Sequence, residues 1–454
     1  MRRVLCILWA VAFVLSNDPL PAAEPLKVGV FKVDVTPPLG APLCDALVTP
    51  TKEIVDPLSA CGVVILSDEE PIVLCAVDWV GIGNGGHSAW RKALAKAAGT
   101  SENRVAVHCL HQHDAPGCDF DAEELLAARG LSGAVFHVAF AHEAIRRAAE
   151  AVKEAAAKAQ PVTHVGFGVG RVEQVASNRR VLGPDGKVKY VRYSATKDEA
   201  IRAAPEGVID PDVRLVSFWN GDKPLVSITY YATHPQSYYG SGGVSCDFPG
   251  LARGLREKAL PEVAHVHFNG ASGNVTAGKY NDGSKPLRAA LAERLAAGMQ
   301  KAWENTKKTP ITAADVDWRS VSVALPASPN LDEAALLKIV DDSAAKTVDR
   351  VRAARNLAWL RRSQLGDKTE LACLKIGPGY ILHMPGELFI EYQLAAQKMR
   401  PDAPVAMAAY GDYGAGYIGT AIAYTQGGYE TGPVSRVAPE VEEVLMGGMK
   451  ELLK

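Results

Sequence analysis

From Val28 to about Gln160, short β-branched apolar runs alternate with alanine-rich stretches of helical periodicity, as in PIVLCAVDWV, then HSAWRKALAKAAG, then RVAVHCL. Such alternation fits strands covered by helices, so the chain reads as α/β: a mixed β-sheet core flanked by helices. A long helix is expected in VFHVAFAHEAIRRAAEAVKEAAAKA, whose apolar residues recur at helical spacing. A more hairpin-like region follows from Val162 to Ile228, with turns at Pro184-Asp185-Gly186 and Asn220-Gly221-Asp222. Residues 331–364 are again helical and strongly charged, which suggests a solvent-facing helical insertion or lid. No internal repeat or Pro/Ser-rich linker marks a boundary, so residues 24–454 are expected to form one composite domain.

The hydrophobic content of 48 % over 454 residues is enough for one large core or two ordinary ones. With 49 basic and 51 acidic residues the chain offers no electrostatic footprint for nucleic acid, which is excluded as a partner. The N-terminus, MRRVLCILWAVAFVL followed by small residues at Ala22 and Ala23, reads as an export signal over residues 1–23. The expected location is secreted or periplasmic. No later run approaches the roughly 20 apolar residues of a membrane-spanning helix, so the mature chain is expected to lack one. Beyond Cys6 lie seven cysteines without CxxC spacing. Cys75 and Cys109 read as small buried hydrophobes. One disulfide, from Cys109 or Cys118 to a loop partner, is the alternative in an oxidising compartment.

Polar chemistry gathers at five places, each where an apolar strand-like run ends. VAVHCL precedes His111-Gln112-His113-Asp114, PLVSITYYAT precedes His234, and AHVHFNG precedes the segment from Ala271 to Thr276. YILHMPG precedes Glu387, and VAMAAYGDYG precedes Tyr417. Ligands of open α/β sheets bind beyond the carboxyl ends of strands, so these groups are expected to converge on one site there. Period-two alternation would place the imidazoles of His111 and His113 on one strand face, where two histidines can share a metal. A metal needs more ligands than two. Singly, His234 is an ordinary histidine after a strand, Glu387 an acidic start to the helix ELFIEYQLAAQKM, and Tyr417 and Tyr429 half-buried packing aromatics.

Two motifs point elsewhere and are rejected. Gly81-Ile-Gly83-Asn-Gly85-Gly86 satisfies G-x-G-x-x-G between a strand and a helix. The next strand, however, ends in His111-Gln112-His113 rather than the acidic residue a dinucleotide ribose requires. The glycines then read as a loop allowing close backbone approach. His-Gln-His-Asp is similar to the H-x-H-x-D-H of metallo-β-lactamase-like hydrolases, but Asp114 directly follows the second histidine and is itself followed by Ala115 rather than a histidine. His265-x-His267 reads as core strand by the same alternation.

With these residues in order, the chain resembles the neutral/alkaline ceramidase family over nearly all of its mature length. VGVFKVDVTPPLG is similar to the family's opening G-x-x-K-x-D-I-T-P-P-x-G. Leu110-His111-Gln112-His113-Asp114-Ala115-Pro116-Gly117 resembles its T-H-T-H-S-G-P-G motif. This likeness implies His111 as a metal ligand and His113 as a neighbour that contacts substrate. Asn178-Arg179 matches an asparagine-arginine motif, implying Arg179 as a substrate-binding cation. By the same resemblance, His234 in A-T-H, Glu387 in P-G-E and Tyr417 in GAGYIGT complete a zinc site, and Tyr429-Glu430 matches a further tyrosine twelve residues on. Where the family carries G-N/D-x-S-P-N with a serine important for catalysis, this chain reads Gly273-Asn274-Val275-Thr276-Ala277-Gly278. Thr276 keeps the hydroxyl, and Asn274 is assigned to substrate binding. The resemblance covers the catalytic region only and stops short of the family's immunoglobulin-like C-terminal domain, so dispersed amides are expected to be better substrates than ceramide in vesicles.

The implied activity is zinc-dependent hydrolysis of an N-acyl amide, a small molecule or lipid, by metal-activated water. His113, Thr276 and Tyr429 are the catalytic candidates, with His113 protonating the leaving amine or, like Tyr429, stabilising the oxyanion. Two alternatives accompany it: another N-acyl or ester substrate on the same zinc site, or a non-catalytic exported binding protein.

Overall fold

Three times along the chain an antiparallel hairpin is followed by a helix and then a strand parallel to the hairpin's second strand. In the first unit Ser59–Leu66 pairs with Ile72–Val77, the helix Gly85–Ala98 crosses over, and Val105–Cys109 returns parallel. In the second, Asp212–Asn220 and Lys223–Tyr231 form the hairpin, Asp247–Ala259 the helix and Ala264–Asn269 the parallel strand. In the third these are Thr369–Ile376, Gly379–His383, Ile390–Met399 and Val405–Ala408. This is a computed structural model describing residues 25–454; the expected export signal lies outside the described residues. The mixed α/β class expected from the sequence is what the chain adopts.

Each parallel strand is the edge of its own sheet, and the three edges meet at their carboxyl ends. The amide of Ala409 donates to the Asn269 carbonyl at 3.0 Å and that of Cys109 to the Tyr410 carbonyl at 2.9 Å. The Asn269 side chain donates to the Leu110 carbonyl at 3.2 Å. Loops leaving the three units therefore emerge into one place.

The sheets share an inner core. Val63, Ile65 and Leu74 of the first sheet pack in one cluster with Val216, Ile228 and Phe268 of the second and Leu374, Ile376 and Ile381 of the third. Burying a side chain such as Phe268 contributes about 1.5–3 kcal/mol, so the junction is held by hydrophobic burial before any polar contact forms. Helices cover the outside. Val138–Ala157, the expected long helix, buries Ala141, Ala144, Ile145, Ala148, Val152 and Ala155, a stripe at helical spacing. The turn at Gly221-Asp222 joins Asn220 to its ladder partner Lys223, and the Pro184-Asp185-Gly186 turn joins Arg180–Leu182 to Val188–Val191.

The charged stretch 331–364 forms the helices Glu333–Asp341 and Thr347–Gln364. The second does not face solvent as expected. It buries Val351, Ala354, Leu357, Ala358 and Trp359, and the Trp359 indole donates to the Arg436 carbonyl at 3.0 Å. Its charge misled because buried arginines, Arg350 and Arg355, lie on the same inward side. The seven described cysteines are buried and unbridged, which removes the disulfide alternative among them. His267 is a core residue as expected, its Nδ1 2.9 Å from the Thr229 hydroxyl. Among the described residues no helix is long and apolar enough to cross a membrane.

Candidate metal centre

Three of the four expected ligands converge: His111, His234 and Glu387 are buried with potential ligand atoms within 4.8 Å of one another. Glu387 Oε2 lies 3.3 Å from His111 Nε2 and 3.1 Å from His234 Nε2. The other nitrogen of each ring is committed to backbone. His111 Nδ1 sits 2.5 Å from the Val80 carbonyl, and His234 Nδ1 2.7 Å from the Ser272 carbonyl. A carbonyl accepts only, so each Nδ1 carries a hydrogen and each Nε2 is the nitrogen left facing the centre. His111 Nε2 is buried and faces the Glu387 carboxylate without a well-formed hydrogen bond, an arrangement that a cation between them would satisfy. The donor set, two imidazoles and a carboxylate with a phenol beside them, suits zinc.

The fourth expected ligand, Tyr417, places its hydroxyl 3.3 Å from His234 Nε2 and accepts a 2.9 Å hydrogen bond from Arg179. Burial raises the Tyr417 phenol well above the usual tyrosine range, with Arg179 opposing. Burial alone would raise the Glu387 carboxyl, but His111 and His234 outweigh it and hold it well below the carboxylate range. Burial pushes His234 down to about 4, so its ring is neutral and fit to be a ligand.

The backbone route to the site differs from the sequence reading at two points. The strand ends at Cys109, and His111 and His113 lie in the loop beyond it, with His111 at φ 74°. Their rings meet edge-on at 4.8 Å because of that left-handed turn, not because they alternate along a strand. Glu387 does not start a helix either. Glu387–Leu388 is a short strand paired with Tyr417–Ile418, and the helix begins at Ile390. The carboxylate is thus oriented by a ladder rather than by a helix dipole.

No protein-family model matches the chain, and no curated protein does. Among solved structures, a ceramidase complexed with C2 superposes with a TM-score of 0.69 at 16 % identity, covering 94 % of this chain and 75 % of the other. The neutral ceramidase from Pseudomonas aeruginosa gives 0.68 at 16 % identity, covering 94 % and 74 %. This chain has the neutral ceramidase fold.

Within that fold the remaining expected residues take distinct places. His113 is half-buried beside the cluster, its Nδ1 2.7 Å from the Gln236 amide nitrogen, which also touches Nε2. Burial, then His111 and His234, hold it well below the ordinary histidine range. It is therefore neutral at neutral pH and takes up a proton before it can give one. Arg179 is buried between Tyr417 and Glu430, whose Oε1 is 3.4 Å from Nε. Its guanidinium faces the rings of Tyr193 and Tyr429 at 5.8 and 5.5 Å. Tyr429 is 42 % exposed, and with Tyr193 and Tyr239 it forms an aromatic rim. Burial pushes its phenol up to about 12, keeping it a donor.

The Gly273–Gly278 loop approaches the cluster through its backbone. The Val275 carbonyl accepts from the His234 amide at 3.0 Å, and Ser177 and Thr276 are paired across a short antiparallel ladder. The Thr276 hydroxyl is buried without a partner. Asn274, by contrast, is spent inside the fold: its amide donates to Glu391 at 2.9 Å and its carbonyl accepts from the Ile390 amide at 2.9 Å. Sequence reasoning missed Tyr413, whose hydroxyl donates to Glu387 Oε1 at 2.9 Å. It also missed Gln236, two residues beyond His234. Proximity to assigned residues was the only sequence signal for either.

Proposed function

We propose that this chain is an exported zinc-dependent amidohydrolase that cleaves an N-acyl amide of ceramide type. The observation that carries this is the convergence of the Nε2 atoms of His111 and His234 on one buried carboxylate, that of Glu387. The ceramidases that share the fold favour a lipid-like amide as substrate. Residues 24–454 would be the catalytic domain behind a signal at 1–23.

In this reading His111, His234, Glu387 and Tyr417 would hold a zinc ion. When bound, zinc supplies a Lewis acid that polarises the amide carbonyl and acidifies the attacking water. His113, neutral before the reaction, takes a proton from that water and delivers it to the amine nitrogen as the C–N bond breaks. Tyr429 donates a hydrogen bond where negative charge develops on the carbonyl oxygen. Arg179 keeps the Tyr417 hydroxyl in place, and Thr276 offers its unpartnered hydroxyl to the substrate. The Tyr193, Tyr239 and Tyr429 rim receives the amphiphile.

The test combines elemental analysis of the purified protein with hydrolysis of a short-chain ceramide analogue. About one zinc per chain, chelator-sensitive turnover restored by zinc, and loss of both in Glu387→Gln are expected. Chelator-resistant turnover would overturn the metal mechanism; a metal-loaded protein inert toward N-acyl amides and esters would leave a binding protein.

A further inference from the structure

The Glu387 carboxylate meets the two histidines through Oε2 alone, while Oε1 accepts the Tyr413 hydroxyl hydrogen bond at 2.9 Å. A carboxylate free to rotate could offer either oxygen, or both. A phenol stays protonated through neutral pH and can only donate to an ionised carboxylate, so Tyr413 selects which oxygen faces the histidines. Its ring also lies 5.5 Å from that of His111.

Tyr413 is itself held from two sides. Gly81, first of the glycines in the Gly81-Ile-Gly83-Asn-Gly85-Gly86 loop, faces its ring: a Cβ there would stand 2.4, 2.7 and 2.8 Å from three ring atoms. The nucleotide-like glycine motif thus has a different use, a slot for an aromatic ring. On the other side the Arg355 guanidinium lies 5.3 Å from the ring centre. Arg355 belongs to the helix Thr347–Gln364 and is paired with Asp45 at 2.5 Å. Asp45 sits in a turn where Cys44, Asp45 and Ala46 all have positive φ. A buried ion pair is a poor source of stability, since desolvation offsets most of its attraction. One placed against the partner of an expected ligand serves orientation.

We propose that Tyr413 is a positioning residue for the metal centre, seated by the Gly81 slot and the Asp45–Arg355 pair, and that it fixes Glu387 for cation binding through Oε2. This rests on the proposed metal site, but it concerns the orientation of Glu387 rather than the existence of the site. It gives the 331–364 segment a role at the centre from below, through Arg355.

The experiment measures zinc affinity by chelator competition on the metal-free full chain, alongside the thermal midpoint of the same metal-free protein. Tyr413→Phe keeps the ring and removes only the hydroxyl. We expect its zinc affinity to fall by about 10–100-fold, the usual cost of losing a ligand's hydrogen-bond partner, with the midpoint little changed. Gly81→Ala should weaken zinc binding with the hydroxyl still present, by displacing the ring, and the double variant should lose no more than the worse single one. Wild-type affinity in Tyr413→Phe, while Glu387→Gln has lost zinc, would overturn the inference and leave the metal site standing. Unchanged affinity in Glu387→Gln would instead overturn the metal site itself.

Discussion

Glu387 and Tyr417 stand directly opposite one another in a two-residue parallel ladder, Glu387 with Tyr417 and Leu388 with Ile418. Two expected ligands from different loops thereby share one backbone register. Gly386 makes the pairing possible: it has φ 58°, and a Cβ there would come 2.7 Å from the Gly416 carbonyl oxygen, beside the bond from the Glu387 amide to that carbonyl at 2.9 Å. Gly386→Ala should therefore lower stability by about 1–3 kcal/mol through strain and also reduce bound zinc below one per chain. Urea unfolding and metal analysis check the two effects separately. Full zinc occupancy in a destabilised variant would show that the ladder does not place the ligands.

Thr276 presents a buried hydroxyl without a partner. Replacing it by the near-isosteric valine removes an unsatisfied group, so stability should hold or rise. If the hydroxyl meets substrate, kcat should fall by about 10²-fold, as for loss of one oxyanion donor. Thr276→Ser should keep activity. Equal kcat in the valine and serine variants would remove Thr276 from the reaction.

The fold class and the convergence of His111, His234 and Glu387 were legible because each of these residues follows an apolar run that becomes a strand. Strand patterning is a local signal that survives in one sequence. The threefold hairpin-helix-strand plan was not legible, since it repeats topology without repeating residues. His111 reaches the cluster by a left-handed turn rather than by strand alternation, and positive φ at a histidine leaves no trace in residue type. The bonds of Asn274 to Glu391 and Ile390 were hidden for a similar reason: a helix-holding amide and a substrate-binding amide look alike until their partners are seen. Tyr413 and the Val80 and Ser272 carbonyls went unseen because backbone acceptors carry no sequence signature and Tyr413 lies in a run with two other tyrosines.

Stability should fall on the acid side through histidines outside the centre. Burial holds His108 and His267 down to about 3, against about 6.5 when unfolded. Between those values the unfolded chain binds protons that the folded chain refuses, so their contribution is intact above pH 6.5 and is lost as pH falls toward 3. At pH 5 each costs about 2 kcal/mol relative to pH 7.5. Asp114 and Asp119, both raised to about 6 by burial, work the other way, while His87 and His265, held down to about 4 by burial, add to the loss. Urea titrations of the metal-free protein at both pH values should show the net loss, and His267→Gln should flatten the slope. A pH-independent midpoint would contradict the neutral burial of these rings.

Arg179 was read from sequence as a cation that binds substrate, yet its guanidinium already donates to the Tyr417 hydroxyl at 2.9 Å and faces Glu430 at 3.4 Å. Glu430 also pairs with Arg180 at 3.1 Å, so one fully buried carboxylate serves two arginines. A lysine at 179 would keep the charge but not the planar fork that reaches Tyr417 and Glu430 together. If Arg179 acts mainly by holding Tyr417, Arg179→Lys should lower kcat by about 10-fold or more with KM little changed. If it acts mainly on substrate, KM should rise while kcat holds. We expect the kcat effect, because the hydrogen bond to Tyr417 is present before any substrate arrives. Glu430→Gln separates orientation from charge in the opposite direction. It leaves two buried guanidiniums without their anion, which should cost about 3–5 kcal/mol of stability and loosen Arg179 in the same measurement. A Glu430→Gln protein with wild-type stability and wild-type kcat would show that the Arg179–Glu430–Arg180 network does not support the Tyr417 hydroxyl.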